Sequence, residues 1–449
     1  MSAGVAPGLL AEPPPARPPA PAPLTALDVR QRTQAVVAAL ALMTAAFILC
    51  RTARDALYFR AGELADLPWA YLGMAALSLP VALVTLSAMH LVGGRRMRVL
   101  APLAAAAGIA ALSVWARPGA GPGMTIVFMS IPLVFGVLFS LAWLLVADLM
   151  GGMPTSALAG AYGRVGAGSL AGGMGGAFVA RLAAGHVTPQ LLFLVAAAAM
   201  VAAAAVMGRA QARYPSRCRI APRQPSPPPM PLRAATAPRV PMLLGMAMAA
   251  ALAGVLVEFL FYAAATRSVL AGGAPLQLFA DVYLGLNLVA LVVYAFAMPP
   301  LQRRLGLGGS LLVLPAALLF LTPAVLWTLS PAVRALLRLT EGGLKSSVHR
   351  VAWEQAFAMV EPAHRSAAKL LAEGTAARLA EGAGGSVLLW ALWSGSVPGP
   401  DVATANVWAG RLLLACGLLW VWVAVAFRQH LAQEAAGHGS SPLPRVPDA

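Results

Sequence analysis

Four polar side chains lie close together near the end of the first long apolar run of the chain. Arg51, Arg54, Asp55 and Tyr58 are three or four residues apart, so a helix would place them on one face. A charged stripe is costly against lipid, and we therefore expect it to face protein or water. Two arginines and one aspartate leave the stripe positive. This pattern predicts binding of an anion, with Asp55 orienting Arg51 across one helical turn.

Further charged residues lie within apolar runs of the second half of the chain. We expect Lys345 and Arg350 to complete the anion site. Intramembrane carboxylates are functional suspects by default, and four of them are predicted to balance charge or to bind a coupling proton: Glu258, Asp281, Glu354 and Glu381. The structural alternative for Glu258 is an ion pair with an arginine such as Arg267 that merely holds two helices together.

The composition indicates a membrane protein. Of the 449 residues, 59% are hydrophobic and 11% are charged, and the mean hydropathy is +0.76. A soluble chain of this size needs more charge to keep so much apolar surface in water. A transmembrane barrel would show short alternating segments instead of long runs. The net charge of +16 comes largely from basic residues in loops between apolar runs, as the positive-inside rule expects, and does not indicate a nucleic-acid partner.

The apolar runs divide the chain into two halves. Residues 1–32 form a Pro/Ala-rich tail that is predicted to be disordered, and residues 429–449 form a second such tail. Residues 33–208 and 240–428 each hold six apolar runs, near or above the ~20 residues that span a bilayer, and a basic, proline-rich linker at 209–239 joins them. The basic loops share one side if both termini are cytoplasmic. This pattern predicts an all-α integral membrane protein of about twelve transmembrane helices in two six-helix halves, of the major facilitator type.

Three of the twelve runs depart from a plain apolar composition. The tenth and eleventh carry several charges, so either they line a wet interior or part of each lies at the membrane surface, and we favour the interior. The fifth is rich in glycine, and its spacing predicts close packing between helices. The glycines are Gly166, Gly168, Gly172, Gly173, Gly175 and Gly176.

Motifs for catalysis do not occur in the sequence. There is no Walker A phosphate-binding loop and no nucleophile triad stands out, so neither an ATP-driven pump nor an enzyme is indicated. Cys50, Cys218 and Cys416 show no paired spacing, and the six histidines are scattered. We therefore expect no cofactor, no metal site and no disulfide framework.

Five short motifs occur in order along the chain. They are Arg51-Thr52-Ala53-Arg54-Asp55 with Gly62-Glu63, then Val255-Leu256-Val257-Glu258, then Ala280-Asp281, then Lys345-Ser346-Ser347 with Trp353-Glu354, then Arg365, Lys369 and Glu373 with Gly384-Gly385. On these motifs the chain resembles the ATP/ADP antiporter family of nucleotide transporters over most of its length. The resemblance implies a divergent bacterial member with a major-facilitator-like fold and a transport role.

Three departures from the pattern of that family bear on the substrate. Thr52 replaces an aspartate, Arg54 replaces a lysine, and Glu381 falls about where a second lysine is expected. Arginine keeps the charge but is not equivalent to lysine at a phosphate, and Glu381 reverses a charge that would face a phosphate chain. The resemblance therefore implies transport more firmly than it implies exchange of adenine nucleotides.

The sequence as a whole predicts a secondary active transporter of the bacterial cytoplasmic (inner) membrane that carries an anionic solute by alternating access. A nucleotide or a phosphorylated metabolite is the candidate solute that the resemblance suggests. A proton-coupled major-facilitator carrier of another organic anion or drug is the first alternative, and a non-transporting membrane scaffold is the second. The expected partners are a small anion and the lipid bilayer, without nucleic acid. A monomer is favoured, although the sequence leaves the oligomeric state open.

Overall fold

A computed structural model describes residues 25–60, 64–116, 122–150, 153, 155–214, 239–395 and 399–438. Within these ranges the chain is helical and contains no strand. Several sequence predictions fall outside the described residues: the first 24 residues of the N-terminal tail, Gly62-Glu63, Cys218, residues 215–238 of the linker and residues 439–449 of the C-terminal tail.

Six helices form the N-terminal half, one for each predicted apolar run. Helix α1 begins at Ala26, so the last residues of the predicted tail are helical, and a short 3-10 turn, Leu64–Asp66, precedes α2. Between α2 and α3 the chain turns at Gly93, which has φ +90°, a conformation that glycine adopts without a steric cost. The helices are α1 Ala26–Arg60, α2 Leu67–Val92, α3 Gly94–Trp115, α4 Pro122–Met150, α5 Thr155–Ala183 and α6 Pro189–Arg213.

The helices of the C-terminal half are more irregular. They are α7 Val240–Leu270, α8 Pro275–Val292, α9 Met298–Trp327, α10 Pro331–Leu344, α11 Arg350–Ala358, α12 Pro362–Lys369, α13 Ala377–Trp393 and α14 Val402–His438. Three π-helical turns, Val293–Ala297, Lys345–His349 and Leu370–Ala376, join α8 to α9, α10 to α11 and α12 to α13. Inside α9 the backbone leaves helical geometry at Gly306, with φ +64°.

Eight segments of the described chain are long and apolar enough to span a membrane. One of them, Pro275–Trp327, has 53 residues and contains the kink at Gly306, so it covers the predicted eighth and ninth runs. The predicted fifth, tenth and eleventh runs are helical but fall outside the eight, because glycine or charge lowers their hydropathy. The predicted class, an all-α integral membrane protein, is confirmed, and the count of twelve spans is visible only in part.

The glycines of α5 allow it to lie against α1 at close range. A Cβ added to Gly172 would lie 2.2 Å from the carbonyl oxygen of Ala41, and one added to Gly176 would lie 2.5 Å from that of Ala45. Because the obstacle is backbone, no side-chain movement could relieve either clash. The packing role that we predict for this glycine stretch is therefore confirmed, and α1 is held in the interior of the N-terminal half.

Contacts between the two halves run along α5 and α8, from Arg181 and Asp281 to Gly163 and Tyr294, but those between α2 and α13 lie at one end of the bundle. We call this the closed end; it carries the α1–α2, α5–α6, α7–α8 and α13–α14 connections. Helix α2 is buried only between Leu67 and Met74, where it lies against α13, and its remaining residues to Val92 are partly or fully exposed. The Cβ of an alanine at Gly385 would lie 3.0 Å from the carbonyl oxygen of Pro68. At the opposite, open end α2 and α13 separate.

Candidate functional site

Charged side chains from both halves meet in the interior of the bundle. Arg51 of α1 forms an ion pair with Glu258 of α7, and the Nη2 atom of Arg338 on α10 lies 2.6 Å from the same carboxylate oxygen. The Tyr71 hydroxyl of α2 donates to the other oxygen at 3.5 Å. Glu258 therefore lies between two guanidinium groups, one from each half.

The alternation of charge continues along α10. The Nη1 atom of Arg338 lies 2.5 Å from Glu341, and the Nζ atom of Lys345 lies 3.0 Å from the other oxygen of that carboxylate. We call Arg51, Glu258, Arg338, Glu341 and Lys345 the charge chain. Glu341 is 3% exposed, whereas Lys345 at the end of the chain is 45% exposed. Lys345 is thus the most exposed member of the charge chain.

A second, more deeply buried cluster surrounds Asp55. Its carboxylate forms an ion pair with Arg54 at 2.5 Å and accepts hydrogen bonds from the hydroxyls of Tyr262, at 3.0 Å, and Tyr283. The Arg54 guanidinium also lies 3.8 Å from the ring centroid of Phe128, a cation–π contact. We expected Asp55 to orient Arg51, but it contacts Arg54 instead. This cluster ties α1 to α4, α7 and α8 and leaves its charges no access to a solute.

Helices α1 and α7 face each other in register. Arg51 contacts Glu258, and Asp55 contacts Tyr262, and in both pairs the residues are 207 positions apart. These are the first helices of the two halves, so both contacts join one half to the other.

A third group of charges lies toward the open end, on α11 and the segments that follow it. Glu354 contacts Arg350 at 2.8 Å and Lys369 at 2.6 Å, and Glu373 accepts a hydrogen bond from the Trp353 indole at 3.0 Å. Arg350 also approaches Glu373, at 3.4 Å. We call Arg350, Glu354, Lys369 and Glu373 the open-end cluster, and all four are at least one-third exposed.

The remaining predicted site residues lie apart from the charge chain. Tyr58 is buried, with its ring packed against Phe59 and Phe128. Asp281 forms an ion pair with Arg181 of α5 at the closed end, and Glu381 lies 2.5 Å from Arg378 on its own helix.

The alternative partner that we considered for Glu258 is not the one observed. Arg267 donates to the carbonyl oxygen of Ala263, one turn earlier on its own helix. Glu258 instead contacts Arg51 and Arg338, and the ion pair with Arg51 joins the two halves of the protein.

Two members of the charge chain, Arg338 and Glu341, are not among the predicted site residues. Both are charged residues of the tenth run, and their spacing could have identified them as site residues. Arg338, Glu341 and Lys345 are three and four residues apart, so they share one helical face. In α10 this face is directed at Glu258. A search for i, i+3, i+7 charge patterns within apolar runs would identify it.

No group of three or more metal-ligating side chains occurs in the described ranges. Cys50 and Cys416 are both buried and form no disulfide with each other. The members of the charge chain and of the Asp55 cluster are engaged in ion pairs and hydrogen bonds with one another.

Solved structures that resemble this chain are membrane transporters. A mutant of the nucleoside transporter NupG matches with a TM-score of 0.62 at 11% identity, over 89% of this chain and 99% of that one. The POT family transporter PepTSo matches with 0.59 at 14% identity, over 89% and 98%. The human organic anion transporter MFSD10 matches with 0.58 at 16% identity, over 88% and 99%.

These likenesses show the fold, which is of the predicted major facilitator type. No protein-family model matches the chain, and no curated protein matches it. The resemblance to ATP/ADP antiporters therefore stays a prediction.

Proposed function

We propose that this protein is a secondary transporter that binds a small anionic solute between its halves and moves it across the membrane by alternating access. The charge chain is the observation that supports this most directly, because it lies between the halves and includes residues of both. Ionised side chains in a membrane interior are costly. A purely structural contact could use packed apolar residues instead, an exchange that is often neutral or stabilising.

Arg51 is the member through which solute binding would act on the contact between halves. It is the one charged side chain that the N-terminal half contributes to the charge chain. An anion that binds its guanidinium competes with Glu258, and Glu258 then keeps Arg338 as its partner. Binding would thus loosen the tie between halves without leaving a buried carboxylate alone. In this scheme Arg51 and Lys345 bind the solute, and Glu258 and Glu341 balance the charge.

For the closed end to open, the contacts that join the two halves there must break, so these contacts must be weak. The ion pair of Arg181 and Asp281 joins α5 to α8, and both side chains are 40–47% exposed. Exposed pairs of this kind contribute about 0–1 kcal/mol, so the pair limits opening little. The open-end cluster, in which Arg350 and Lys369 are balanced by Glu354 and Glu373, lies on the side of the charge chain away from this pair. By the positive-inside rule the open end faces the cytoplasm.

A proton-coupled carrier of an organic anion is the second candidate. It is favoured by the position of Glu258, which shares its carboxylate between two arginines and is 19% exposed. If the solute occupies Arg51, Glu258 loses one of its two counter-charges and becomes easier to protonate. Uptake that is driven by an imposed proton gradient would support this candidate, and uptake that requires an internal anion would support exchange.

Transport by the purified protein in liposomes tests the proposal. We expect Arg51→Gln to abolish uptake of the anion while the protein still folds, because Glu258 retains Arg338. The matched control is Arg98→Gln, which removes a similarly buried arginine from a 2.6 Å ion pair with Asp148 on α3 and α4. Loss of uptake in both variants, or in neither, would contradict the proposed role of Arg51. Failure of every anion to bind or to be taken up would favour the scaffold.

A further inference from the structure

The charge chain is not neutral. It contains three cations, Arg51, Arg338 and Lys345, and two carboxylates, Glu258 and Glu341. The charge chain therefore carries one excess positive charge, and a cation lies at each of its two ends. Each carboxylate is already shared between two cations, so neither can neutralise more charge without a change of partners.

The other ion pairs around the described interface are balanced. Arg54 neutralises Asp55, and Arg378 neutralises Glu381 on α13. Arg181 neutralises Asp281 at the closed end. The open-end cluster has two cations and two carboxylates. None of these groups has positive charge to spare for a solute.

One further buried arginine, Arg334, lies one turn before Arg338. It has no carboxylate partner among the described ion pairs, but its Nη1 atom donates to the carbonyl oxygen of Leu260 at 3.3 Å and to the side chain of Asn406 at 3.0 Å. Its side chain is 1% exposed. These contacts direct it into the packing of α7, α10 and α14, so a solute between the halves cannot reach it.

The excess charge is most accessible at Lys345. Its side chain is 45% exposed, compared with 17% for Arg51 and 6% for Arg338. The ammonium lies beside Gly254, where an added Cβ would be 3.0 Å from Nζ. Lysine is a compact, flexible point charge with three donors. Its single ion pair with Glu341 leaves donors for a solute.

We propose that this site takes solutes with one negative charge, such as monocarboxylates, and discriminates against anions with two or more. This inference rests on the proposed function and specifies its solute. A second negative charge would either remain unpaired or displace a carboxylate from its arginines. An unpaired charge buried in the bundle is strongly unfavourable. Nucleoside diphosphates and triphosphates, which carry several charges, are therefore poor ligands.

A series of probes that differ mainly in charge tests this inference. We would measure binding of benzoate, isophthalate and trimesate to the purified protein by calorimetry, at about pH 8 so that every carboxyl group is ionised. Propionate, succinate and tricarballylate provide an aliphatic series in case the aromatic ring does not fit. We expect each additional charge to weaken binding on the order of tenfold, as one uncompensated charge in a partly exposed site would.

Two variants change the excess charge in opposite directions. Glu341→Gln raises the excess to two and should make the dicarboxylate the preferred ligand. Lys345→Met removes an exposed side chain, so it is expected to fold, and it lowers the excess to zero. This variant should bind the monocarboxylate about tenfold more weakly, and its affinity for the neutral amide, benzamide, should not change. The matched control, Lys369→Met, removes a cation from the open-end cluster and should preserve the order of the series.

The outcomes separate this inference from the proposed function. This inference would be overturned if the tricarboxylate bound the unmodified protein most tightly, or if Glu341→Gln and Lys345→Met both left the order of binding affinities unchanged. Neither outcome would contradict transport of anions. An absence of binding by all six acids would overturn this inference, and the transport assay would then decide the proposed function separately.

Discussion

Reversal of the charges of Arg51 and Glu258 together distinguishes an isolated ion pair from a longer chain. The double variant Arg51→Glu/Glu258→Arg restores opposite charges at the two positions. It also places a second guanidinium beside Arg338, whose Nη2 atom is 2.6 Å from Glu258. Two like charges at about 4 Å repel by about 4 kcal/mol at an effective dielectric constant of about 20. We therefore expect the free energy of unfolding to fall by at least about that amount, because the attraction between Glu258 and Arg338 is lost as well.

A third substitution should then restore much of the lost stability. Arg338→Gln in the double variant removes the repulsion and leaves Glu341 with Lys345 as its partner, at 3.0 Å. We expect the triple variant to be more stable than the double variant by most of the ~4 kcal/mol. The measurement is the free energy of unfolding from detergent titration of the protein in mixed micelles, followed by tryptophan fluorescence.

A swap at an isolated pair provides the control for this experiment. Arg98 and Asp148 lie 2.6 Å apart on α3 and α4, and neither has another ion-pair partner among the described residues. The variant Arg98→Asp/Asp148→Arg keeps opposite charges at the two positions and places no like charge beside them, so it should lose far less stability than the Arg51/Glu258 swap. If the Arg51/Glu258 swap were equally harmless, or if the triple variant were less stable than the double one, the charge chain would not act as a unit.

Three further outcomes are expected from other parts of the molecule. Gly172→Ala should lower the melting temperature strongly because its Cβ would meet backbone at 2.2 Å, whereas Gly175→Ala, with nothing within 4 Å, should not. Arg181→Ala should leave stability within about 1 kcal/mol but increase thiol labelling of a cysteine placed at the closed end. Hydrogen bonds, of which that from the Thr404 hydroxyl has the largest effect, lower the pKa of Asp401. The ionised carboxylate therefore stabilises the folded protein above the unfolded-state pKa of about 3.9. This stabilisation is lost as the pH falls through the lower pKa of the folded state. Asp401→Asn should remove this part of the dependence of melting temperature on pH.

The sequence predicts the fold well because the signals for it are local. Long apolar runs require helices in a membrane, since every backbone group must be satisfied within the segment. The glycines of α5 predict close packing, and Gly172 meets the backbone of Ala41 in the structure. The irregularities of the C-terminal half are not local in this sense. Nothing in the sequence around Lys345–His349 or Leu370–Ala376 distinguishes a π-helical turn from regular helix.

The candidate site is predictable only to the extent that its residues share a helix. The spacing of Arg51, Arg54 and Asp55 indicates one face of α1, and all three are in the interior. Which side chains pair across helices depends on packing, which one sequence does not contain. Glu258 contacts Arg51 and Arg338 on two other helices, and Asp281 contacts Arg181. Asp281 and Glu258 are both carboxylates within apolar runs, and this position alone does not show that only Glu258 belongs to the charge chain.

The contacts between α1 and α7 have a consequence for how the two halves can change. Arg51 contacts Glu258, and Asp55 contacts Tyr262. A cation of α1 meets a carboxylate of α7, and a carboxylate of α1 meets a hydroxyl donor of α7. The two surfaces are complementary and not interchangeable, so a change of charge on one helix requires a compensating change on the other.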